Sequence, residues 1–212
     1  MNSRTYPNLT VVDNPLVQAN MTILRDRTTD PDTFRRTTRR LATALLLEAA
    51  THFEMEEVEV ETPLERTTGV RLAKDLVAVP VLRAGLGLLE GITRQLQNLT
   101  VGYVGVFRDE ETAQPQEYYT KLPPLDNANV LILEPMLATG GSLSWAVDKV
   151  KKMGGTDITA MTVCAAPVGV QRMLDDHPDV RIITAALDRD LDYRFYIRPG
   201  IGDMGDRLFG TT

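Results

Sequence analysis

The sequence predicts an α/β fold with a mostly parallel, twisted sheet flanked by helices, and three observations carry that prediction. Short apolar runs alternate along the chain with segments of helical spacing, the order that builds a parallel sheet through crossover helices. The runs are apolar throughout rather than at every second position, so they suit strands covered on both faces. With 212 residues and 43% hydrophobic content the chain can bury one sizeable core, and a single domain over residues 1–212 is expected.

In chain order, Asp32 or Thr33 can cap a helix from about Phe34 to Ala50, and Arg35, Arg36, Arg39 and Arg40 form one stripe on it. Four arginines raise a nucleic-acid reading. The formal charge of −6 and the lack of interleaved aromatics favour a solvated or subunit-facing side instead. MEEVEVETP alternates charge with valine, the pattern of a short half-exposed strand. Strands are expected at Leu76–Leu82, Val101–Phe107, Asn129–Leu133, Ile158–Ala166 and Val180–Leu187. GLGLLEGITRQL, SLSWAVDKVKKM and GVQRMLDDH read as the crossover helices. In the second of these, Leu143, Ala146, Val147, Val150 and Met153 share a face. Gly154 ends it, after Lys149, Lys151 and Lys152, where the helix dipole favours cations. Residues 109–126, within RDEETAQPQEYYTKLPPLD, have no period and many charges, so a flexible surface arm is expected there. RPGIGDMGDRLFGTT, with four glycines, reads as a backbone-rich segment rather than a regular element.

Composition excludes several functions. The negative balance does not favour nonspecific binding of polyanions, so any phosphate must be met locally. One cysteine, Cys164 in an apolar stretch, rules out an intrachain disulfide and suits a reducing compartment. Apolar runs of about seven residues fall far short of the ~20 that a membrane-spanning helix needs, and MNSRTYPNLT has no apolar signal core. A soluble cytoplasmic protein is the expectation. His52 and His177 lack Cys or His partners at ligand spacing, which disfavours a dedicated zinc site.

The chemistry concentrates in EPMLATGGS, Glu134–Ser142, between the apolar run NVLIL and a helix. Ligands of open parallel sheets sit beyond the carboxyl ends of the strands, so residues 139–142 are placed at a helix N-terminus facing that crevice. Unpaired N–H groups and the dipole make an anion site there, and Gly140 and Gly141 let an oxyanion approach. Thr139 and Ser142 add hydroxyls. A carboxylate would repel phosphate, so Glu134 is suited to sugar hydroxyls, and loop and acid together describe a sugar-phosphate site. The lysine-dependent GxxxxGK loop does not occur. A plain capped turn would account for the glycines but not the acid.

Two further strand ends carry arginine, Arg83 and Arg108, whose planar fork suits bidentate phosphate binding. Three strand ends would then converge on one polyanion. A competing reading takes RAGLGLLEG as a dinucleotide fingerprint, with Asp109 lying 24 residues past Gly85. Its glycines are spaced GxGxxxG, one residue too long, and Pro80 stands inside the strand.

EPMLATGGS resembles the phosphoribosyl-diphosphate (PRPP) loop of type I phosphoribosyltransferases, in the DPMLATGGS form of the uracil phosphoribosyltransferases. NPLVQANMTILRD, VPVLRAGLG, VFRDEET, KLP, AAPVGV, HPDV and YIRPGIGDMGDRLFGT resemble that family's segments in its order, over nearly the whole chain. The resemblance implies that Glu134, Pro135, Met136, Leu137, Ala138, Thr139, Gly140, Gly141 and Ser142 bind the ribose and 5-phosphate. It implies that Arg83 and Arg108 bind the diphosphate, and that Asp203 contacts PRPP or its magnesium, with no dedicated metal site. Tyr196, Ile197, Gly202, Asp203 and Met204 would hold uracil, largely through backbone groups, in a hood over residues 188–212. Uracil presents acceptor, donor and acceptor in order, which fixed peptide groups can match and cytosine cannot.

The implied reaction is uracil plus PRPP giving UMP and diphosphate, with Mg²⁺ as cofactor, no nucleic acid or membrane as partner, and the arm after Arg108 as a lid. A homodimer or larger homo-oligomer is implied in the same way, while effectors such as GTP stay open. The chain departs from the pattern at Glu134, where Asp is usual, and at Asn14, Leu47 and Arg198. LDYRF, Leu191–Phe195, stands where a segment like LNEHG or LNEKG is expected. A sensor of PRPP or nucleotides on the same fold, or a transferase for another base, are the alternatives.

Overall fold

A computed structural model describes residues 6–108 and 115–211. Its first elements are β1 (Leu9–Val11), α1 (Pro15–Arg25) and α2 (Pro31–Ala50). Then come β2 (Met55–Glu61), β3 (Arg66–Leu72), β4 (Asp75–Leu82) and α3 (Gly85–Thr93). The middle of the chain forms β5 (Thr100–Val101), β6 (Tyr103–Arg108), β7 (Pro115–Lys121), β8 (Ala128–Leu133), β9 (Met136–Leu137) and α4 (Gly141–Lys152). The last part forms β10 (Asp157–Ala165), α5 (Pro167–Asp176), β11 (Arg181–Leu187), β12 (Asp190–Leu191), β13 (Ile197–Arg198) and α6 (Met204–Phe209).

The main sheet runs β1-β11-β10-β8-β4-β6-β7, with β5 beside β4 and β9 beside β10. Its pairs are parallel except β6 with β7. The period of two along a strand sorts side chains into two cores. Leu131 and Leu133 of β8 join Leu76 and Ala78 of β4 beneath α1, α2 and α3, where Met21, Phe34, Leu41, Leu45 and Ile92 pack. Val130 and Ile132, with Val77 and Val79, face Leu143, Val147 and Val150 of α4 and Met173 of α5. Continuous apolarity in these strands is thus the signature of double burial, and the expected mostly parallel α/β architecture is the one found. Cys164 lies in the first core, and burial pushes its thiol pKa upward.

Several expectations are corrected. Helix α2 starts three residues earlier than Phe34, because Asp30 caps it by accepting from the N–H groups of Asp32 and Thr33, with Pro31 in the first turn. Asp30→Ala is expected to cost about 1 kcal/mol, read as a lower urea midpoint at an unchanged m-value. Of the expected arm, residues 109–114 lie outside the described residues, while Pro115–Lys121 form an edge strand antiparallel to β6. The C-terminal segment is partly regular, because α6 forms within it, capped by Asp203 and closed by Gly210 at a φ of 66°. The expected strand at Val101–Phe107 is broken at Gly102 into β5 and β6. MEEVEVE does form a strand, and its partner β3 makes with it a separate two-stranded sheet.

The arginine stripe of α2 is largely engaged within the chain. Arg36 pairs with Asp32 at 2.8 Å, Arg39 pairs with Glu90 at 2.8 Å, and Arg35 donates to the carbonyl of Leu208 at 2.9 Å. Glycines of the RAGLGLLEG stretch serve packing rather than a cofactor. A Cβ at Gly85 would stand 2.4 Å from the carbonyl oxygen of Leu133, and one at Gly91 would stand 2.6 Å from the Cβ of Ala42 on α2. Among the described residues, no helix is long and apolar enough to cross a membrane.

Candidate active site

Beyond the end of β8 the chain does not leave the sheet at once. Glu134 donates its N–H to the carbonyl of Met161 (3.2 Å), and the Pro135 carbonyl accepts from Val163 (2.8 Å) and Cys164 (3.1 Å). Ala166 then donates to Leu137 at 2.9 Å. The first half of EPMLATGGS is therefore laced to β10, which fixes where its second half lies. Gly140 takes a φ of 80°, a left-handed conformation that favours glycine, and the chain turns into α4 at Gly141. Helix α5 supports the loop from behind: a Cβ at Gly169 would sit 2.4 Å from the Ala138 carbonyl oxygen. The Arg172 guanidinium lies close by, with one terminal nitrogen 3.4 Å from where a Gly141 Cβ would be.

Two clefts open along this loop. One of about 140 Å³ is lined by Glu134, Met136, Leu137, Ala138, Thr139, Gly140, Gly141, Ser142 and Leu143. The other, of about 230 Å³, shares Glu134, Met136 and Ala138 with it and adds Ala84, Phe195, Tyr196, Ile197, Gly202, Asp203, Met204 and Gly205. Eight of the nine expected loop residues thus face a cleft, and the five expected base-site residues line the other together. Pro135 lines neither, because its carbonyl is committed to β10.

The wall of the larger cleft is built by the segment after β11. Asp192 holds its turn, accepting at one carboxylate oxygen from the N–H groups of Arg194 (2.8 Å) and Tyr196 (2.9 Å). Strands β12 and β13 pair antiparallel, tied by the Arg198 guanidinium on both Asp190 oxygens at 2.9 Å. Arg198, a departure from the family pattern, thus has a local structural partner. Asp188 anchors the wall to α1, taking a bidentate ion pair from Arg25 and the N–H of Gly200 (2.9 Å). Arg207 donates to the carbonyls of Ile201 and Asp26, binding α6 to the same corner. Asn14 caps α1 and Leu47 is exposed, so neither departure touches the clefts.

The arginines stand differently from the loop. Arg83 follows β4 across a cis peptide bond with Leu82, and its guanidinium lies 3.5 Å from Asp206 and 6.0 Å from the ring centre of Phe209. It lines neither cleft, although its neighbour Ala84 does. The backbone of Arg108 ends β6, while its side chain lies outside the described residues. Glu134 is half-buried, and among the described residues no cation offsets the effect of that burial on its carboxyl. Burial pushes its carboxyl up to about 8, offset in part by the N–H of Met136. Among the described residues no group of three or more His, Cys, Asp or Glu side chains is arranged to hold a metal. Two carboxylates, Glu134 and Asp203, line the larger cleft, a donor set that fits a magnesium ion carried mainly by substrate phosphates.

Sequence reasoning missed Ala84 and Gly205, which meet across the larger cleft from segments about 120 residues apart in the chain, as its lining shows. Arg172 was also missed, because only the fold brings α5 behind the loop.

A mostly parallel sheet with this loop beyond β8 and a C-terminal wall facing it is the arrangement that the resemblance to type I phosphoribosyltransferases leads one to expect. The uracil phosphoribosyltransferase family profile matches residues 11–211. A uracil phosphoribosyltransferase of Salinibacter ruber is 48% identical over 205 residues, covering 96% of this chain and 98% of that one. One from Fervidobacterium nodosum is 47% identical, covering 96% and 99%. The solved AQ2163 protein of Aquifex aeolicus superposes with a TM-score of 0.92 at 35% identity, covering 96% of this chain and 99% of that one. This chain belongs to the uracil phosphoribosyltransferase family.

Proposed function

We propose that this protein transfers the 5-phosphoribosyl group of PRPP to N1 of uracil, giving UMP and diphosphate, a pyrimidine-salvage reaction. One observation carries the reading: the two clefts meet at Glu134, so a loop of donors and a wall of backbone groups share a single carboxylate. The amides of Thr139, Gly140, Gly141 and Ser142 receive the 5-phosphate at the start of α4. Glu134 accepts from the ribose hydroxyls, and Ile197, Gly202 and Met204 offer peptide groups to the base, with Tyr196 and Asp203 beside them. The displacement at the anomeric carbon has oxocarbenium character and requires no nucleophilic side chain. What the chain supplies is placement of N1 against that carbon, together with charge stabilisation on the departing diphosphate by Arg83 and Arg108. Magnesium bound to PRPP would neutralise part of the diphosphate charge, with Asp203 and Glu134 as the carboxylates that meet it.

Incubation with PRPP, Mg²⁺ and each free base in turn tests the reading, with diphosphate release as the readout. Release with uracil is expected. PRPP binding without diphosphate release with any base would make the protein a sensor, and release with another base alone would reassign the substrate.

Asp203 caps α6 by accepting from the N–H of Asp206 at 2.9 Å, a role asparagine can also fill. Asp203→Asn is therefore expected to keep the fold while lowering PRPP-dependent turnover about tenfold, the scale of one charge-assisted contact. Identical Mg²⁺ dependence in variant and parent would count against that contact.

A further inference from the structure

Phe195 adopts a φ of 67°. For a residue with a bulky side chain that region is an outlier, and glycine or asparagine takes it far more readily. The hydrogen bonds of the turn do not involve the phenyl ring. Asp192 already closes the turn, through its side-chain bonds to the N–H groups of Arg194 and Tyr196 and through backbone bonds from its own N–H to the Tyr196 carbonyl (2.8 Å) and from Phe195 to its carbonyl (3.0 Å). The residue lines the larger cleft, half-exposed at 48%, in series with Tyr196, Ile197 and the Gly202–Gly205 stretch. Strain at a single backbone position, retained where a side chain faces a ligand cleft, points to a role in that cleft.

We propose that the Phe195 ring stacks on the face of the bound pyrimidine and sets this protein's affinity for the free base. The inference rests on the reading of the larger cleft as the uracil site. Backbone groups of Ile197, Gly202 and Met204 can address the edge of a planar base, but an edge contact leaves its faces open to water. An aromatic ring at the mouth covers one face, and every nucleobase has a π-face to offer it. The departure LDYRF then alters the strength of base capture rather than the choice of base, because the choice resides in the peptide groups.

Steady-state kinetics on the full chain separate the possibilities, with uracil and PRPP varied in turn. Phe195→Gly is expected to raise the KM for uracil about tenfold, the scale of one base–aromatic stack, and to leave the KM for PRPP unchanged. Phe195→Tyr, which keeps the ring, should hold the uracil KM near the parental value, and Phe195→Leu should fall between. An unchanged uracil KM in Phe195→Gly overturns the inference, as does an increase that Phe195→Tyr shares in full. A parent that forms no UMP overturns the functional reading and this inference together. An active parent with an unmoved uracil KM in Phe195→Gly overturns only the inference.

Discussion

Alanine in place of Arg83 is expected to lower kcat/KM for PRPP about a hundredfold, or ~3 kcal/mol, the usual scale for one preorganised donor to a developing charge. The fold should be unaffected. The Arg83 side chain is 57% exposed, and its ion pair with Asp206 spans 3.5 Å, so its loss costs well under ~1 kcal/mol. The expected loss therefore reports on the transition state. Arg83 stands where β4 delivers the chain to the crevice, next to Ala84 on the cleft wall, yet its guanidinium rests on α6. To serve a diphosphate it must exchange Asp206 for the substrate, a swing of one flexible side chain. Melting curves and initial rates with PRPP varied at saturating uracil check the prediction. Unchanged turnover and an unchanged KM for PRPP would remove Arg83 from the site.

The legible parts of this molecule are those whose physics is local in sequence. Strands β4, β8, β10 and β11 announce themselves because burial on both faces leaves them predominantly apolar rather than alternating, as Val130, Leu131, Ile132 and Leu133 show by dividing between two cores. The cleft-lining turn EPMLATGGS was legible for a related reason: its glycines and acid are contiguous, and their place between a buried strand and a helix fixes where the turn lies. Strand β3 and strand β7 were not, since Arg66–Leu72 and residues 116–121 are largely polar, exposed stretches that become strands only by pairing with β2 and β6. The six-residue α6 depends on contacts made by Arg207 to residues near Asp26, nearly the whole chain away. Side-chain partners were hidden by the same separation. Nothing in the sequence pairs Arg83 with Asp206, or turns Pro135 toward Val163 instead of the ligand.

The other large effect is expected at Glu134, proposed above to receive the ribose, where PRPP binding should depend on pH. Its carboxyl is pushed from the ordinary 4.5 up to about 8, chiefly by burial, so the free protein holds the proton at pH 7. Under that proposal a phosphate-borne cation calls for the carboxylate and ribose hydroxyls bond more strongly to it than to the acid, so binding at pH 7 is expected to release that proton. For a group that loses its proton near 8, the KM for PRPP in the parent should fall about tenfold between pH 7 and pH 9. In Glu134→Gln this pH response should vanish, and at pH 9 the variant should bind PRPP more weakly by about one to two powers of ten, the scale of hydrogen bonds to a charged group. Stability should move the other way. The unfolded chain gives up the Glu134 proton as pH rises past about 4.5, while the folded protein keeps it until about 8, so the contribution present at low pH is lost across that window. Glutamine has no such proton, and Glu134→Gln is expected to be more stable than the parent at pH 7 by up to about 3 kcal/mol, with the gap closing toward pH 4.5. Urea unfolding at the two pH values, set beside PRPP kinetics, reads both signs on one substitution. A parental KM that stays flat between pH 7 and pH 9 would separate Glu134 from the ribose, whatever its effect on stability.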